Sequence, residues 1–250
     1  MIYACSDIHG RFDRYEKALS RLKGKDKLYI LGDVIDRGND GFKILCDIFT
    51  RPNVHLILGN HESFLFQFLC LFFKSKNEDM SGILGSDLIK CWTSQNNGGV
   101  PTLKSVLDAS PIELIDVLNH LYDTPIFRRV AVNGRMFYLG HACSLKKYSG
   151  KRKMTLREML KQDFVNDLDI LLWKSPFRPR YQSMLKELDV TKESYVFGHV
   201  PIQNFTADQR VKGYLENHLF DIDGGCAYGD ALQNWLVMFC LDTLEAEYID

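Results

Sequence analysis

The sequence predicts an α/β protein whose sheets contain both parallel and antiparallel strands. Three patterns support this class. Short apolar runs alternate with helix-periodic segments over roughly the first sixty residues, an Asn133-Gly134 turn separates two strand-like runs, and another pair of such runs closes the chain. Helices between strands imply parallel pairing, whereas a tight Asn-Gly turn implies an antiparallel hairpin. We therefore expect one mixed sheet, or two sheets packed face to face, with helices outside.

The first part of the chain is predicted to alternate strands with helices. Apolar residues recur at helical spacing between residues 11 and 23, and Gly24 is placed to end that helix. Residues 40–50 form the second predicted helix. The three strands are predicted at residues 1–6, 27–31 and 54–58. Helices of this length between strands predict a parallel arrangement in this part of the fold.

The middle of the chain is predicted to be helical, and the last part returns to strands. Ser110 and Glu113 form a capping box that starts a helix running to about residue 122, and Thr155 and Glu158 form a second one. Residues 64–73 are apolar on all sides, which predicts a helix buried between layers. The late strands are predicted at residues 195–197, 237–241 and 246–249, with the last two joined over Asp242-Thr243.

Composition and charge exclude several classes of protein. Of the 250 residues, 46% are hydrophobic and 25% are charged, which excludes disordered and fibrous chains. The net charge of −1 provides no general attraction to nucleic acid or anionic lipid, so neither partner is expected. Seven cysteines without a CxxC pair are typical of thiols in a reducing cytosol. The N-terminus lacks the pattern of a signal peptide, so we expect one cytoplasmic domain over residues 1–250.

Polar side chains follow the predicted strands directly, and most have a glycine beside them. These residues are Asp7, His9, Asp33, Asn60, His61, His141 and His199. A single histidine after a strand is usually a hydrogen-bonded core residue, but four of the seven histidines occupy such positions here. Ligand sites in open α/β sheets lie beyond the carboxyl ends of the strands. We therefore expect these side chains to converge on one crevice.

The chemistry of this set predicts a pair of metal ions. Carboxylates, imidazoles and an amide oxygen suit first-row divalent ions such as Mn²⁺, Fe²⁺ or Zn²⁺. The set contains no thiolate, which argues against a structural zinc site. Two such ions sharing a carboxylate can create a nucleophile and stabilise an anionic transition state. The predicted substrate is accordingly a phosphate ester.

Five short motifs resemble the signatures of a known family. In chain order, SDIHG, GDVIDRG, GNHE, LGHA and FGHV are similar to those of the calcineurin-like metallophosphoesterases. The combination of GDVIDRG with GNHE resembles the phosphoprotein phosphatase superfamily. The segment Trp92…Asn97-Gly98-Gly99…Thr102 resembles its bacterial and bacteriophage branch. This resemblance implies a four-layer α/β/β/α sandwich of two mixed sheets flanked by helices, with a helical insertion at about 64–124.

The resemblance also implies a role for each site residue. Asp7 and His9 would bind one metal ion, Asp33 would bridge both, and Asn60, His141 and His199 would bind the other. Mn²⁺ is favoured, with Fe²⁺ or Zn²⁺ as alternatives. His61, oriented by Asp36, would protonate the leaving alkoxide after attack by a metal-bound hydroxide. Arg37 would hold phosphate oxygens, with Asn60 also contacting the substrate.

The sequence departs from the family pattern near the expected site. Ser6 stands where a glycine is usual before the first aspartate. Ser175 stands where the bacterial branch usually has its second phosphate-binding arginine. Either Arg178 or Arg180 would then serve, unless both are solvated arginines of a loop. Asp223 and Tyr228 belong to a Gly-Gly loop that either borders the cleft or is only a tight turn.

Several functions remain open at this point. The first hypothesis is a phosphatase of the protein Ser/Thr type that acts on a phosphoprotein. The alternative is a symmetrical diadenosine tetraphosphate hydrolase or another small-molecule phosphoesterase. Glu62 and the Trp92 segment favour the first hypothesis. A catalytically inactive scaffold is disfavoured because every ligand is retained, and a nuclease because the chain has no basic stripe. The oligomeric state and the native metal are not predicted.

Overall fold

Ten strands form two mixed β-sheets in the computed structural model, which describes residues 1–75, 80–162, 164–228 and 234–250. The strands are β1 (Ile2–Cys5), β2 (Lys27–Ile30), β3 (Val54–Leu56), β4 (Pro125–Val132), β5 (Arg135–Gly140), β6 (Lys153–Thr155), β7 (Ser194–Phe197), β8 (Leu219–Asp221), β9 (Leu236–Cys240) and β10 (Ala246–Ile249). One sheet has the order β10-β9-β1-β2-β3 and the other β6-β4-β5-β7-β8. The predicted fold class is thus confirmed, with two sheets rather than one.

Each sheet combines a parallel half with an antiparallel half. In the first sheet β1, β2 and β3 are parallel, while β9 pairs antiparallel with both β1 and β10. In the second sheet β5, β7 and β8 are parallel, and β4 pairs antiparallel with β5 and β6. The predicted hairpins at Asn133-Gly134 and Asp242-Thr243 join β4 to β5 and β9 to β10. The parallel halves place the ends of three strands beside one another in each sheet.

The two sheets pack face to face through a small apolar core. Ala4, Tyr29 and Phe239 of the first sheet share a buried cluster with Phe137 and Val196 of the second. Neighbouring residues on the same strands belong to the larger core beneath the helices, because successive side chains of a strand point to opposite faces. Burial of one large apolar side chain stabilises the fold by about 1.5–3 kcal/mol. This alternation fixes which strand residues face the partner sheet and which face the helices.

Nine α-helices lie among the described residues. They are α1 (Phe12–Arg21), α2 (Gly41–Thr50), α3 (Asn60–Lys74), α4 (Met80–Leu84), α5 (Asp87–Trp92), α6 (Val100–Asp108), α7 (Pro111–Asp123), α8 (Leu156–Lys161) and α9 (Val165–Trp173). Both predicted capping boxes are present: Ser110 accepts the Glu113 N–H, and Thr155 accepts the Glu158 N–H. None of the described helices combines the length and apolar character that a membrane span requires.

Helices α3 to α7 lie between β3 and β4 in the chain, where the sequence predicts a helical insertion. The apolar run at residues 64–73 forms the second half of α3, and Phe64, Leu65 and Phe68 are buried as expected. The burial is incomplete, since Gln67 and Leu71 are exposed on one edge of the helix. Most of the helix surface is therefore buried against the core, and one edge faces solvent. The domain boundaries stay a prediction.

Candidate active site

The loops that follow five parallel strands bring the predicted polar residues together. Asp7 and His9 follow β1, Asp33 follows β2, and Asn60 and His61 begin α3 just after β3; His141 follows β5, and His199 follows β7. All are buried except His199, which is half-buried. Because three of these strands belong to one sheet and two to the other, the site lies where the strand ends of both sheets meet. The predicted convergence is therefore present.

Many of these loop residues have a left-handed backbone. Positive φ angles between 45° and 73° occur at Asp7, His9, Asp33, Asp36, Arg37 and His199. For a residue other than glycine this conformation costs about 1–2 kcal/mol. Backbone hydrogen bonds between neighbouring loops maintain it, among them Asp7 N–H to the Gly32 carbonyl at 3.1 Å and His9 N–H to the Asp33 carbonyl at 2.9 Å. Strain of this kind typically persists at functional sites, where surrounding structure over-determines it.

One oxygen atom, Oδ2 of Asp33, lies at the centre of the site. It is 3.8 Å from Nε2 of His9, 3.6 Å from Nε2 of His61 and 3.4 Å from Nε2 of His141. Two overlapping groups of possible metal ligands result: His9, Asp33 and His61 in one, and Asp33, His141 and His199 in the other. Asp33 is the residue that both groups share, as expected of a bridging carboxylate.

The remaining predicted ligands surround these groups. Asn60 Oδ1 is 2.7 Å from His141 Nε2, and His199 Nδ1 is 3.2 Å from the same nitrogen. Asp7 lies on the other side, with its Oδ1 3.9 Å from His9 Nε2, and its Oδ2 accepts the backbone N–H of His199. The Ser6 hydroxyl also donates to Oδ2 of Asp7. The serine that replaces the usual glycine thus takes part in orienting this carboxylate.

Backbone carbonyls fix the orientation of two imidazole rings. His9 donates its Nδ1 proton to the Ile35 carbonyl at 2.8 Å, and His141 contacts the Leu31 carbonyl through Nδ1 at 2.6 Å. This arrangement directs the other ring nitrogen, Nε2, into the site. A carbonyl partner on the outer nitrogen is the usual support of a metal-binding histidine. The donor set and its orientation therefore fit two divalent ions.

Charge interactions in this buried site shift its pKa values strongly. Burial and the charge of Asp33 raise the pKa of Asp7 to about 6. Burial disfavours the charged form of His141, but the adjacent Asp33 carboxylate outweighs this and raises the pKa of that ring to about 10. In Asp33 the burial effect is likewise overcome, by the His141 and His61 charges, so its pKa lies well below the usual range. Without a metal ion, His141 and Asp33 therefore form an ion pair.

Metal binding is expected to release protons. At pH 8 the uptake of Mn²⁺ should release about one proton, because His141 must lose its proton to become a ligand. The apparent affinity should rise with pH up to about 10, and below about pH 6 it should fall more steeply as Asp7 becomes protonated too. Titration calorimetry in two buffers of different ionisation enthalpy measures the released protons. An affinity that does not change between about pH 6.5 and 8.5 would contradict the assignment of His141 as a ligand.

A contact with Asp36 orients the His61 ring. Its Nδ1 contacts Oδ2 of Asp36 at 2.6 Å, as the resemblance implied. The same Asp36 oxygen accepts the indole N–H of Trp92 at 2.7 Å, a contact that sequence reasoning did not predict. Burial alone would favour a neutral His61, but Asp33 and the bond to Asp36 raise its pKa. The raised pKa favours the protonated ring, in which Nε2, the nitrogen that faces the site, carries a proton.

Glu62 has a supporting role that was also not predicted. Its carboxylate accepts the backbone N–H groups of Asp33, Val34 and Gly59 at 2.8–2.9 Å, and the side chain is fully buried. Burial and the Asp33 charge raise its pKa to about 7. Glu62 therefore ties the loop after β2 to the start of α3. Because it contacts backbone and is not among the described residues that line the cleft, it does not by itself distinguish one substrate from another.

A cleft of about 1000 Å³ opens onto the site. Arg37, Arg178, Asp223 and Tyr228 line it, together with the uncharged polar residues 93–97. Arg37 donates from Nη1 to His9 Nε2 at 2.6 Å, and its guanidinium carbon lies 5.6 Å from the centre of the Tyr228 ring. The structure therefore places the Gly-Gly loop residues beside the cleft.

The structure separates the two candidate arginines. Arg178 lines the cleft, whereas Arg180 is exposed, with its guanidinium carbon 4.6 Å from the centre of the Tyr181 ring, and is not among the described lining residues. Ser175, at the position expected for an arginine, is buried and accepts the Phe177 N–H. The arginine that lines the cleft thus lies three residues after Ser175 in the chain. Its role in substrate binding stays a prediction.

The chain is similar to curated proteins that share one enzyme name. The chain is 37% identical over 65 residues to the symmetrical bis(5'-nucleosyl)-tetraphosphatase of Buchnera aphidicola subsp. Schizaphis graminum, which covers 24% of each protein. It is 29% identical over 162 residues to the enzyme of the same name from Delftia acidovorans, covering 62% of this chain and 48% of that protein. The matches thus span between a quarter and a half of the length of these curated relatives.

Solved structures share the fold over nearly the whole chain. A Saccharomyces cerevisiae protein serine/threonine phosphatase superposes with a TM-score of 0.54 at 15% identity, covering 100% of this chain and 79% of that one. A cold-active protein-tyrosine phosphatase of a Shewanella species gives 0.53 at 16% identity, covering 100% and 80%. At these identities the likeness concerns the fold alone. The sequence model of the calcineurin-like phosphoesterases matches residues 1–216, and the protein therefore belongs to the calcineurin-like phosphoesterase family.

Proposed function

We propose that the protein hydrolyses phosphate monoesters at a dinuclear metal centre, with Ser/Thr-type phosphoproteins as the substrate class. The observation that carries this proposal is the position of Asp33. Its Oδ2 belongs to two groups of possible ligands at once, and the cleft above them presents two arginines. A carboxylate shared by two metal ions, with arginines nearby to bind the phosphoryl oxygens, is the arrangement that hydrolysis of an anionic ester requires.

The proposed ligand sets follow the family resemblance, and the distances between the donor atoms are compatible with them. His9 and Asp33, with Asp7 beside them, would hold one ion, and a second set, Asp33, Asn60, His141 and His199, would hold the other. Mn²⁺ is the expected ion, with Fe²⁺ or Zn²⁺ as alternatives, because imidazole and carboxylate suit all three. When bound, such a pair supplies an activated water molecule and neutralises charge on the phosphoryl group.

The side chains of the chain perform the other parts of the reaction. Arg37 and Arg178 would bind phosphoryl oxygens, since a planar guanidinium donates two parallel hydrogen bonds. His61 would protonate the leaving oxygen through Nε2 while Asp36 holds Nδ1. The half-buried Trp173 would exclude water beside His199, whose ring centre is 5.9 Å from its own.

The charge of the cleft favours a monoester. Arg37 and Arg178 are the only arginine or lysine side chains among its described lining residues, which also include Asp7, Asp33 and Asp223. The oxygens of a single phosphoryl group are enough to pair with both arginines. A chain of four phosphates would have only the same two arginines to pair with, because residues 93–97 of the described lining are uncharged. An open cleft lined by uncharged polar residues suits a peptide that carries one phosphorylated side chain.

A symmetrical dinucleotide tetraphosphate is the second candidate substrate. The curated relatives carry the name of an enzyme that acts on such compounds. Trp173 and the exposed Tyr228 also offer aromatic rings on the cleft wall, on which a base would stack. Trp92 itself does not decide between the candidates, because it contacts Asp36 and is not among the described cleft residues, whereas residues 93–98 of its segment line the cleft.

A direct comparison of substrates tests the proposal. The Mn²⁺-loaded protein is given a phosphoserine peptide or diadenosine tetraphosphate at equal concentrations. Phosphate release from the peptide and nucleoside diphosphate release from the dinucleotide are measured, with an Asp33→Asn preparation as the control for contaminating phosphatases. Faster turnover of the peptide supports the proposal, faster turnover of the dinucleotide supports the second candidate, and hydrolysis of neither compound by the metal-loaded protein contradicts both.

Arginine substitutions are expected to weaken substrate binding. Arg37→Ala should raise KM for a phosphopeptide by about 10–100-fold, because it removes charge-assisted hydrogen bonds worth about 1.5–3 kcal/mol. Arg178→Ala should have an effect of the same order, and a larger one than Arg180→Ala, because only Arg178 of these two lines the cleft. Steady-state kinetics of the three variants measure this. If Arg180→Ala has the larger effect, the second phosphate contact comes from a rearranged loop.

A further inference from the structure

Asp36 and Arg37 are consecutive residues with a conformation that neither favours. Their φ angles are 72° and 64°, in the left-handed region that favours glycine. Such a pair persists only where its surroundings impose it. The surroundings here are residues 92–102, which we call the support segment. It runs from the end of α5 to the start of α6 and packs against both residues.

The support segment binds the backbone of both residues. The Asp36 N–H donates to Oγ1 of Thr102 at 2.9 Å, and the Arg37 N–H donates to the Gly98 carbonyl at 2.8 Å. A Cβ atom on Gly98 would lie 2.8 Å from Cγ of Arg37, closer than such atoms approach in proteins. On Gly99 it would lie 2.5 Å from the Trp92 ring. The two glycines therefore allow the segment to approach Arg37 and Trp92.

Trp92 binds the Asp36 side chain. Its indole N–H donates to Oδ2 at 2.7 Å, and His61 Nδ1 contacts the same oxygen at 2.6 Å. The indole is fully buried, and its ring centre lies 5.9 Å from that of Phe68. Two groups therefore contact one oxygen of the carboxylate, Oδ2, from two sides. The other oxygen, Oδ1, has no hydrogen-bond partner among the described residues, so Trp92 selects which oxygen faces His61.

We propose that Trp92 is a positioning residue for the general acid: its indole N–H holds the Asp36 carboxylate so that His61 presents its Nε2 proton to the leaving oxygen. The inference rests on the proposed function, in which His61 protonates that oxygen. Trp92 is not among the described residues that line the cleft, so it acts through Asp36 and not on the substrate. The same segment sets the backbone of Arg37, which links proton donation to phosphate binding.

The test uses Trp92→Phe, which removes the indole N–H and keeps an aromatic ring. We expect kcat for phenyl phosphate to fall by about 10-fold, the usual size of an effect on an orienting partner. For 2,4-dinitrophenyl phosphate kcat should fall by less than about twofold, because a stable leaving anion does not need the proton. KM and bound metal should not change. A merely structural role would affect both esters equally.

A double-mutant cycle shows whether Trp92 acts through His61. In a His61→Asn background, Trp92→Phe should have little further effect on phenyl phosphate hydrolysis, because the acid it orients is absent. Thr102→Val, which removes the acceptor of the Asp36 N–H without changing the size of the side chain, is a second variant and should show the same dependence on the leaving group. Trp235→Phe removes another buried indole, outside the described lining of the cleft, and should leave kcat for both esters unchanged.

The outcomes separate this inference from the proposed function. If the metal-loaded natural protein hydrolyses neither ester, the proposed function is contradicted and the inference fails with it. If the natural protein hydrolyses both, but Trp92→Phe slows both by the same factor or loses metal, only the inference is overturned. Equal effects of Trp92→Phe with and without His61 would overturn it as well. A selective loss on phenyl phosphate that disappears without His61 supports it.

Discussion

Asp33→Asn is expected to abolish both metal binding and hydrolysis. A single electrostatic stabiliser contributes about 10²–10³-fold to a rate, and this substitution affects two ions, so the loss should exceed about 10³-fold. The physical reason is the position of Oδ2, which lies within 3.4–3.8 Å of three imidazole nitrogens. An amide nitrogen in that place has no lone pair to donate to a metal ion.

The same substitution leaves the local backbone contact intact. Oδ1 of Asp33 accepts the His61 N–H at 3.1 Å, and the amide oxygen of the substituted side chain can retain this bond. Metal content by atomic emission spectroscopy and phosphate release are measured together, with thermal unfolding as a check of folding. Asp123→Asn, which breaks only an exposed ion pair with Arg157, serves as the matched control and should change neither quantity. Retention of two metal ions and of activity in Asp33→Asn would remove the bridging role.

His61→Asn is expected to slow turnover by about 10²–10⁴-fold while both metal ions remain bound. The bond from Nδ1 to Asp36 leaves Nε2 as the atom directed into the site, and burial does not prevent the ring from holding a proton, because Asp33 and Asp36 raise its pKa. The loss should be largest for esters with poor leaving groups. Steady-state kinetics on two aryl phosphates, with metal analysis of the same samples, measure both effects.

The geometry gives this experiment a second possible outcome. Nε2 of His61 is 3.6 Å from Oδ2 of Asp33, and His9, Asp33 and His61 together form one of the two possible ligand groups among the described residues. If His61→Asn loses one metal ion in proportion to its activity, His61 is a ligand and not the acid. In that case the Asp36–Trp92 pair would orient a metal ligand, and the dependence on the leaving group would disappear.

Local sequence signals predicted most of the secondary structure. The capping boxes at Ser110 and Thr155 and the turn at Asn133-Gly134 depend on contacts within four residues, so they can be identified without knowledge of the fold. Strand ends were less accurate: β3 ends at Leu56, two residues before the predicted boundary. The chain there is still apolar: the Ile57 N–H donates to the Ile30 carbonyl of β2, and the Leu58 N–H donates to the Pro125 carbonyl of the other sheet, just before Asn60 reaches the site. An apolar run indicates that residues are buried, and residues 57 and 58 are buried although β3 has already ended. Hydrophobicity alone therefore places the end of the strand too late.

The sequence by itself determined which donor atoms the site contains and that those of each sheet meet. They follow parallel strands, and within each sheet this topology brings the strand ends to one edge. The meeting of the two edges depends on how the two sheets pack. Only the tertiary structure decided that Trp92 contacts Asp36, 56 residues away, that Glu62 supports the loop of Asp33, and that Arg178 rather than Arg180 lines the cleft. These contacts join segments far apart in the chain. Their geometry depends on how helices and loops pack over two sheets, which no local pattern encodes.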